Sequence, residues 1–203
     1  MVNRPDRPRM TLALAFLLLL LSVPAAGGRL GVLSEVELRS VWLVVVAFAV
    51  QVLIVTVVPS GDTAVHRIVH LLTYGLAAAF VLRNLDLRFV WVVALGGVLN
   101  FVAIAANGGV MPASRSALDA AGLSVQSGSF ANSDVVAGAH VAFLGDVFAI
   151  PAGWPGANVF SVGDAVMVFG AFLVLHAATG SRLFAATRTE RPRAQGAPAV
   201  RRP

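Results

Sequence analysis

Five apolar runs, each nearly long enough to cross a lipid bilayer as a helix, constrain this chain more than any other feature. Each run has 18 or 19 residues. At about 1.5 Å per residue, such a helix approaches the roughly 30 Å of a hydrocarbon core. The runs cover 11–28, 41–58, 64–82, 89–106 and 161–179. The sequence therefore predicts an all-α integral membrane fold with five transmembrane helices.

The composition excludes most water-soluble functions for the chain as a whole. Charged residues make up 12% of the 203 residues and hydrophobic residues 58%, whereas a soluble domain carries about 25% charged residues. A soluble enzyme and a nucleic-acid module are therefore excluded, and the expected partners are the lipid bilayer and a lipid or membrane protein. The sequence contains no cysteine, so it offers no disulfide, thiolate metal site or cysteine nucleophile.

The segments outside the runs form two tails and one long loop. Residues 1–10 and 181–203 are polar and interrupted by proline, so both are predicted to be disordered, flanking a single membrane domain at 11–180. Residues 107–160 separate the fourth and fifth runs, and their stretch 135–151 becomes apolar again. We interpret 135–151 as a re-entrant or interfacial segment on the outer side, with a sixth span as the alternative.

The arginines predict the orientation of the domain, because cytoplasmic loops of membrane proteins carry an excess of basic residues. With five spans, ten arginines lie on the side of the C-terminal tail and five on the side of residues 107–160. The N-terminus is therefore expected outside and the basic C-terminal tail in the cytoplasm. Met10 is an alternative to Met1 as the first residue of the protein. A signal peptide cleaved near 23–26 is an alternative for the first run, but it would leave the six arginines of the tail outside.

Polar side chains within the runs collect toward the predicted outer side. His66, His70 and Tyr74 recur at intervals of four residues and share one helix face, and Asn100 and Asn107 share a face of the fourth run. Such residues usually face the interior of a bundle, so the sequence predicts a polar cleft in the outer leaflet. Its candidate binding residues are Asn107, Asn100, His66, His70, Tyr74, His140 and Ser161.

Each of these residues also has a structural interpretation. Histidines at a helix start are ordinary near lipid headgroups, and two of them four residues apart form a weak metal signal. Asn100 is suited to hydrogen-bond a neighbouring helix, and Asn107 followed by two glycines suits a helix end. The sequence predicts no metal site and no cofactor.

Asp146 and Asp164 form the one catalytic constellation that the sequence offers. The residues between them include Pro151, Gly153, Pro155 and Gly156, so the chain can fold back and bring the two carboxyl groups close enough to share a proton or a water. In a low-dielectric site one carboxylate then acts as a general base and the other as a general acid. A carboxylate pair also suits a hard cation or a proton relay, and Asp164 alone suits a helix cap.

The chain resembles, over nearly its whole length, a family of uncharacterised bacterial multi-pass membrane proteins with a domain of unknown function. The resemblance is carried by Gly-Gly-Arg-Leu at 27–30, Asn-Gly-Gly-Val-Met-Pro at 107–112, Leu-Gly-Asp at 144–146 and Ser-Val-Gly-Asp at 161–164. It implies a location in the bacterial inner, cytoplasmic membrane and no particular activity.

Residues 146–175 also resemble the end of signal peptidase II, the lipoprotein signal peptidase. Asp146 stands where that family has its first catalytic Asp, and Phe-Ser-Val-Gly-Asp at 160–164 stands where its second Asp opens the last span. The resemblance implies a membrane aspartyl hydrolase. The sequence therefore supports a non-enzymatic protein that binds a lipid, small ligand or partner in the outer cleft, with the hydrolase and a proton- or cation-handling protein as alternatives.

Overall fold

The computed structural model describes residues 7–54, 64–123 and 133–187 as a mostly helical protein. Its α-helices are α1 (Arg7–Ala25), α2 (Val41–Val52), α3 (Ala64–Arg83), α4 (Val90–Ala106), α5 (Arg115–Ala121) and α6 (Val162–Ala178). Three 3-10 turns cover Leu30–Glu35, Ala142–Leu144 and Arg182–Thr187. The predicted runs 64–82, 89–106 and 161–179 match α3, α4 and α6 to within one residue at each end. The last residues of the predicted run 41–58 lie outside the described residues.

Both predicted tails contain more structure than expected. Helix α1 begins at Arg7, within the tail predicted to be disordered at 1–10. At the other terminus, Arg182–Thr187 forms a 3-10 turn within the tail predicted at 181–203. The Arg182 backbone N–H donates to the Ala26 carbonyl at 2.9 Å, so a tertiary contact orders a segment that has no apolar pattern of its own.

The all-α prediction needs a correction at 107–160, where the described residues include short strands. Strand β1 (Met111–Pro112) pairs in parallel with β2 (Ser133–Asp134), and β3 (Phe148–Ile150) pairs antiparallel with β4 (Asn158–Phe160). No α-helix lies within 133–151, which excludes a sixth helical span there. Gly138 and Val141 adopt left-handed backbone angles, with φ of 66° and 45°, and such angles interrupt a helix.

Neighbouring helices follow the order α2, α3, α4, α6, α1; the first four alternate in direction, α1 runs parallel to α6, and α4 packs most extensively against α6. A Cβ added to Gly170 would lie 2.6 Å from the backbone N of Val93, and one added to Gly96 would lie 2.6 Å from the carbonyl O of Gly163. Real side chains do not tolerate such distances. Glycine therefore lets these two helix backbones approach closely, as small residues do at membrane helix interfaces.

This arrangement gives the bundle two distinct ends. The aspartate end comprises the starts of α1, α3 and α6, the end of α4 and the described part of 107–160. There the Thr11 hydroxyl donates to the Gly156 carbonyl at 2.7 Å. The arginine end comprises 26–40, 84–89 and 179–187, where the Arg29 N–H donates to the Thr179 carbonyl at 3.1 Å. Loops predicted to share one side of a membrane therefore lie together.

Helix length and composition alone do not establish five crossings. Among the described helices, α3 is the one that is both long and apolar enough to cross a membrane by these criteria. Helices α2, α4, α6 and the 13–25 part of α1 are apolar but have 10–17 residues each.

Candidate functional site at the aspartate end

Three side chains form a closed hydrogen-bonded ring where α6 begins. The Ser161 backbone N–H donates to Asp164 Oδ2 and the Asp164 N–H donates to Ser161 Oγ, both at 2.9 Å, which is a reciprocal capping box. Asn100 of α4 completes the ring, because its Nδ2 donates to Asp164 Oδ1 and its Oδ1 accepts from Ser161 Oγ, both at 2.7 Å. Asp164 thus caps α6, and Asn100 forms hydrogen bonds between two helices. Both structural interpretations given by the sequence apply within one ring.

The ring depends on a glycine beside it. A Cβ at Gly163 would lie 2.0 Å from Asn100 Oδ1 and 2.7 Å from the Gly96 carbonyl O. Ser161 is 0% and Asn100 3% exposed, so neither side chain has room to move away. The motif Ser-Val-Gly-Asp at 161–164 therefore combines a cap with the space that α4 needs.

Asp146 is buried at a separate point of the aspartate end. Its side chain is 5% exposed, and its Oδ2 accepts a hydrogen bond of 2.5 Å from the Ser133 hydroxyl. Its backbone is fixed between neighbouring segments, because its N–H donates to the Pro112 carbonyl and its carbonyl accepts from the Ser114 N–H. Ser133 is therefore the donor to the Asp146 carboxyl group, and the sequence analysis did not single it out.

Burial sets the charge state of Asp146. Desolvation raises the pKa of its carboxyl from 3.8 to about 6, the Ser133 hydrogen bond works in the opposite direction, and the charge of Asp164 adds to the rise. Nearby negative charge and a dry environment both disfavour an ionised carboxylate. Asp146 is therefore poised to change its charge near neutral pH.

Asp146 and Asp164 lie within electrostatic range of each other, and no hydrogen bond joins their carboxyl groups among the described contacts. The charges of both also act on the phenol of Tyr74. The fold thus brings the two aspartates and Tyr74 into one neighbourhood. Sharing of a proton or a bridging water between the carboxyl groups stays a prediction.

Asn107 fastens the 133–147 segment to the end of α4. Its Nδ2 donates to the Ala103 carbonyl at 2.7 Å and to the His140 carbonyl at 2.9 Å, while its Oδ1 accepts from the His140 N–H at 2.9 Å. The predicted helix-end role of Asn107 is confirmed. His140 takes part through its backbone, and its side chain is exposed.

The face of α3 that carries His66, His70 and Tyr74 is directed toward α2 and α4. His70 is 2% exposed, and its ring meets Tyr74 edge-on at 5.6 Å. Gln51 of α2 places its Nε2 2.7 Å from His70 Nδ1 and donates to Thr73 Oγ1 at 2.8 Å. His66 is half-buried. Gln51 was missed by sequence reasoning, although a glutamine inside an apolar run is the expected signal of such a contact.

An open groove of about 590 Å³ lies beside Asp146. One wall is Pro112, Ala113 and Ser114, and the other comes from the 136–147 segment, including Val136, Ala139 and Phe143. The described residues lining it are uncharged. Across the described ranges, no group of three or more His, Asp or Glu side chains is arranged to hold a metal ion.

Comparisons with known proteins give one match. A family described as a family of unknown function, DUF5317, matches residues 35–176. No curated protein and no solved structure matches the chain. The matched range covers α2, α3, α4 and most of α6.

Proposed function

The chain belongs to the DUF5317 family of unknown function, and we propose that it is a multi-pass membrane protein that binds a ligand without catalysis. In this proposal helices α1, α2, α3, α4 and α6 cross a bacterial cytoplasmic membrane, and the aspartate end faces outward. The ligand, which is a lipid, a small molecule or a partner, occupies the groove beside Asp146.

The observation that carries the membrane assignment is the apolar surface of the helices. Val65, Ile68 and Leu72 on α3 are 66%, 56% and 65% exposed. Only 11% of the most apolar stretch of α3 is buried. The core helix of a soluble protein is mostly buried. Phe16 of α1 and Phe48 of α2 are also exposed, at 62% and 66%. Contiguous apolar surfaces of this kind require a lipid or protein cover.

The lengths of α4 and α6 allow them to cross a locally thinned bilayer. Helices α4 and α6 have 17 residues each, which is the lower limit of the usual range for a membrane span. A short span is accommodated by local thinning of the bilayer.

The polar groups between the helices also fit a lipid surrounding. Asn100 bonds to Ser161 and Asp164, and Gln51 bonds to Thr73, so these groups satisfy one another across helix pairs. A bilayer core provides no water to satisfy them. The exposed flanks therefore remain apolar while the polar atoms face inward.

An uncleaved first helix supports the outward placement of the aspartate end. Val23, at the alternative signal-peptide cleavage region, is 0% exposed, and the Ala26 carbonyl accepts from the Arg182 N–H. That region is therefore packed into the arginine end. With α1 retained as a span, the positive-inside rule places the arginine-rich side in the cytoplasm.

A binding role is favoured over the hydrolase because of how Asp164 is used. Both of its carboxylate oxygens accept hydrogen bonds, from the Ser161 N–H and from Asn100 Nδ2. A catalytic dyad needs a carboxylate that can give or take a proton on a substrate. Asp164 serves instead as a cap and an interhelical link.

A substitution on the apolar flank of α3 tests the membrane proposal. Leu72→Arg would place a charge near the centre of the span, at about 3 kcal/mol, and should strongly reduce the amount of chain that resists alkaline extraction from membranes. Glu37→Arg, in a loop of the arginine end, is the matched control and should leave extraction unchanged. Release of the wild-type chain by alkali, or equal behaviour of the two variants, would contradict the proposal.

A further inference from the structure

The β3–β4 hairpin, residues 148–160, has one face packed against α5 and one face that is partly exposed. Ala149 and Val159 pair across the two strands, and Val159 is buried in a cluster with residues of α5. Phe148 and Phe160 also pair, and their rings stack at 5.3 Å between centroids. Because successive side chains of a strand point to opposite faces, the two phenylalanines lie on the face away from α5, where Phe148 is 45% exposed.

The turn of this hairpin contacts the start of α1. The Gly156 carbonyl accepts a hydrogen bond of 2.7 Å from the Thr11 hydroxyl. A Cβ added to Gly156 would lie 3.2 Å from Thr11 Cα and 3.3 Å from Leu14 Cδ1. The apolar part of α1 covers residues 13–25, so the turn of the hairpin lies at the level where that apolar part begins.

The hairpin touches the same face of α1 that is exposed further along the helix. Leu17, Leu18 and Leu21 follow Leu14 at intervals of three, four and seven residues and therefore share its face. All three are exposed. The hairpin is thus continuous with an apolar flank of the bundle, which the proposed function places in contact with lipid.

The turn itself has the composition of a membrane interface. Residues 147–163 carry no charged side chain. Trp154, within the turn, is 68% exposed, and tryptophan is enriched where lipid headgroups meet the hydrocarbon core. Pro151 and Pro155 have no N–H group, and the Trp154 N–H donates to the Pro151 carbonyl at 3.0 Å, which lowers the cost of removing this turn from water.

The other two tryptophans of the chain lie at the opposite end of the bundle. Trp42 and Trp91 occupy the first turns of α2 and α4, at the arginine end, and both are exposed. In the proposed orientation the tryptophans therefore lie at both boundaries of the membrane, with Trp154 on the outer side.

We infer that the hairpin 148–160 is an interfacial anchor, whose exposed phenylalanine face and Trp154 bind the headgroup boundary of the outer leaflet. The inference rests on the proposed function, because the contact with Thr11 marks a membrane boundary only if α1 crosses a bilayer. Through its packing on α5, the anchored hairpin holds the segment between α4 and α6 against the membrane surface.

The test measures tryptophan fluorescence of the full chain reconstituted in phosphatidylcholine vesicles. Trp42→Phe and Trp91→Phe together leave Trp154 as the one tryptophan. Three quenchers report its surroundings: lipids brominated near the headgroup end of an acyl chain, lipids brominated near its methyl end, and iodide in the water.

Two reference variants, in which all native tryptophans are replaced by phenylalanine, calibrate the quenchers. Leu72→Trp places the fluorophore on the apolar flank of α3 and should lose most emission to the deep bromines. Ala137→Trp places it at an exposed position of the aspartate end and should respond to iodide alone.

We expect Trp154 to lose more emission to the shallow bromines than to the deep ones, and less emission to iodide than Ala137→Trp does. Quenching of Trp154 by iodide alone would overturn the inference, because the hairpin would then lie in water. Protection from all three quenchers would also overturn it, because a protein would then cover the hairpin. Stronger quenching by deep than by shallow bromines would place Trp154 in the hydrocarbon core and contradict an interfacial anchor.

The Leu72→Trp variant separates failure of this inference from failure of the proposed function. Its quenching by bromolipids, together with any of the contrary results for Trp154, would overturn the anchor and leave the proposed function standing. Absence of bromolipid quenching in Leu72→Trp would overturn the proposed function itself, and the inference with it.

Discussion

Asn84 at the arginine end and Asn107 at the aspartate end hold a loop in the same way. Each follows a helix and donates to a carbonyl four residues earlier, at 2.8 and 2.7 Å. Each also exchanges two hydrogen bonds with the backbone of a loop residue, Arg39 for Asn84 and His140 for Asn107. The difference lies in burial, because Asn84 is 1% exposed whereas Asn107 is half-buried.

The two ends of α6 show a related contrast. Its start is joined to α4 by the ring of Ser161, Asp164 and Asn100. Its end is joined to α1 by His176, whose Nε2 lies 2.9 Å from Ser22 Oγ and whose Nδ1 lies 2.9 Å from Ser181 Oγ. Both clusters are satisfied within themselves, so α6 is fixed at each end by polar contacts to a different helix.

The comparison distinguishes polar residues that only stabilise the fold from polar residues that are available for function. The arginine end closes on itself, and its ion pair between Arg39 and Asp86, at 3.4 Å, is exposed and therefore weak. The aspartate end adds a groove and a buried carboxyl group whose pKa lies near neutrality. The proposed function accordingly places ligand binding at the aspartate end and the cytoplasmic side at the arginine end.

Among substitutions at the aspartate end, Gly163→Ala should cause the largest loss of stability. The added methyl group would overlap Asn100 Oδ1 at 2.0 Å, and overpacking of this kind costs about 3 kcal/mol. Thermal unfolding in detergent should show a large loss of stability. Gly75→Ala on α3 is the control, because no atom lies within 4 Å of its added Cβ, and it should change stability by less than about 1 kcal/mol. Equal effects would show that the α4–α6 contact is not tight.

Asp164→Asn should have the next largest effect. An asparagine has one acceptor oxygen, so its amide would face either Asn100 Nδ2 or the Ser161 N–H, and a buried donor without a partner costs about 2 kcal/mol. Asp119→Asn, at an exposed position of α5, should be nearly neutral in the same unfolding assay. A silent Asp164→Asn would mean that the residue is a simple cap, since Asn caps a helix about as well as Asp.

Asn84 and Asn107 should differ in how much they contribute to the free energy of unfolding. Asn84→Ala leaves buried backbone groups without partners and should cost about 2 kcal/mol, whereas Asn107→Ala, near solvent, should cost about 1 kcal/mol. Hydrogen exchange would follow the amides of Arg39 and His140, each of which should become less protected in its own variant. A larger loss for Asn107 would reverse the ranking of the two ends.

The smallest expected effect is the pH dependence contributed by Asp146. Its folded-state pKa of about 6 exceeds the ordinary 3.8, so its contribution to stability is fully present below about pH 3.8 and is lost as the pH rises through about 6. Between pH 5 and 8 the change amounts to about 1 kcal/mol. Asp146→Asn keeps an acceptor for Ser133 and should flatten the stability profile over this interval, while Asp134→Asn should not. An unchanged profile in Asp146→Asn would locate the titration elsewhere.

Apolar runs predicted most of the helices, because apolar surroundings leave a direct compositional signal. The same signal does not by itself specify a structure at 135–151, where Gly138 and Val141 have left-handed backbone angles and Leu144 packs against a buried cluster. A composition rich in apolar residues fits a helix, a strand or an inserted turn equally well.

Some structural contacts at the aspartate end were predictable from the sequence. Asn107 and the capping of Asp164 follow from local patterns, since a helix end and an N-cap are set by neighbouring residues. Ser133 and Asn100 reach their partners across 13 and 64 residues of sequence. A single sequence contains no periodicity that specifies such long-range pairings, and so Ser133 was not identified as the donor to Asp146.

The central claim is that the two ends of the bundle lie on opposite sides of a membrane. Because the chain contains no cysteine, a single introduced cysteine reports one position with a membrane-impermeant maleimide. In intact cells, Ala137→Cys at the aspartate end should be labelled, whereas Ser34→Cys and Asp86→Cys at the arginine end should be labelled only after permeabilisation. Labelling of all three positions in intact cells, or of Ser34→Cys and not Ala137→Cys, would contradict the account.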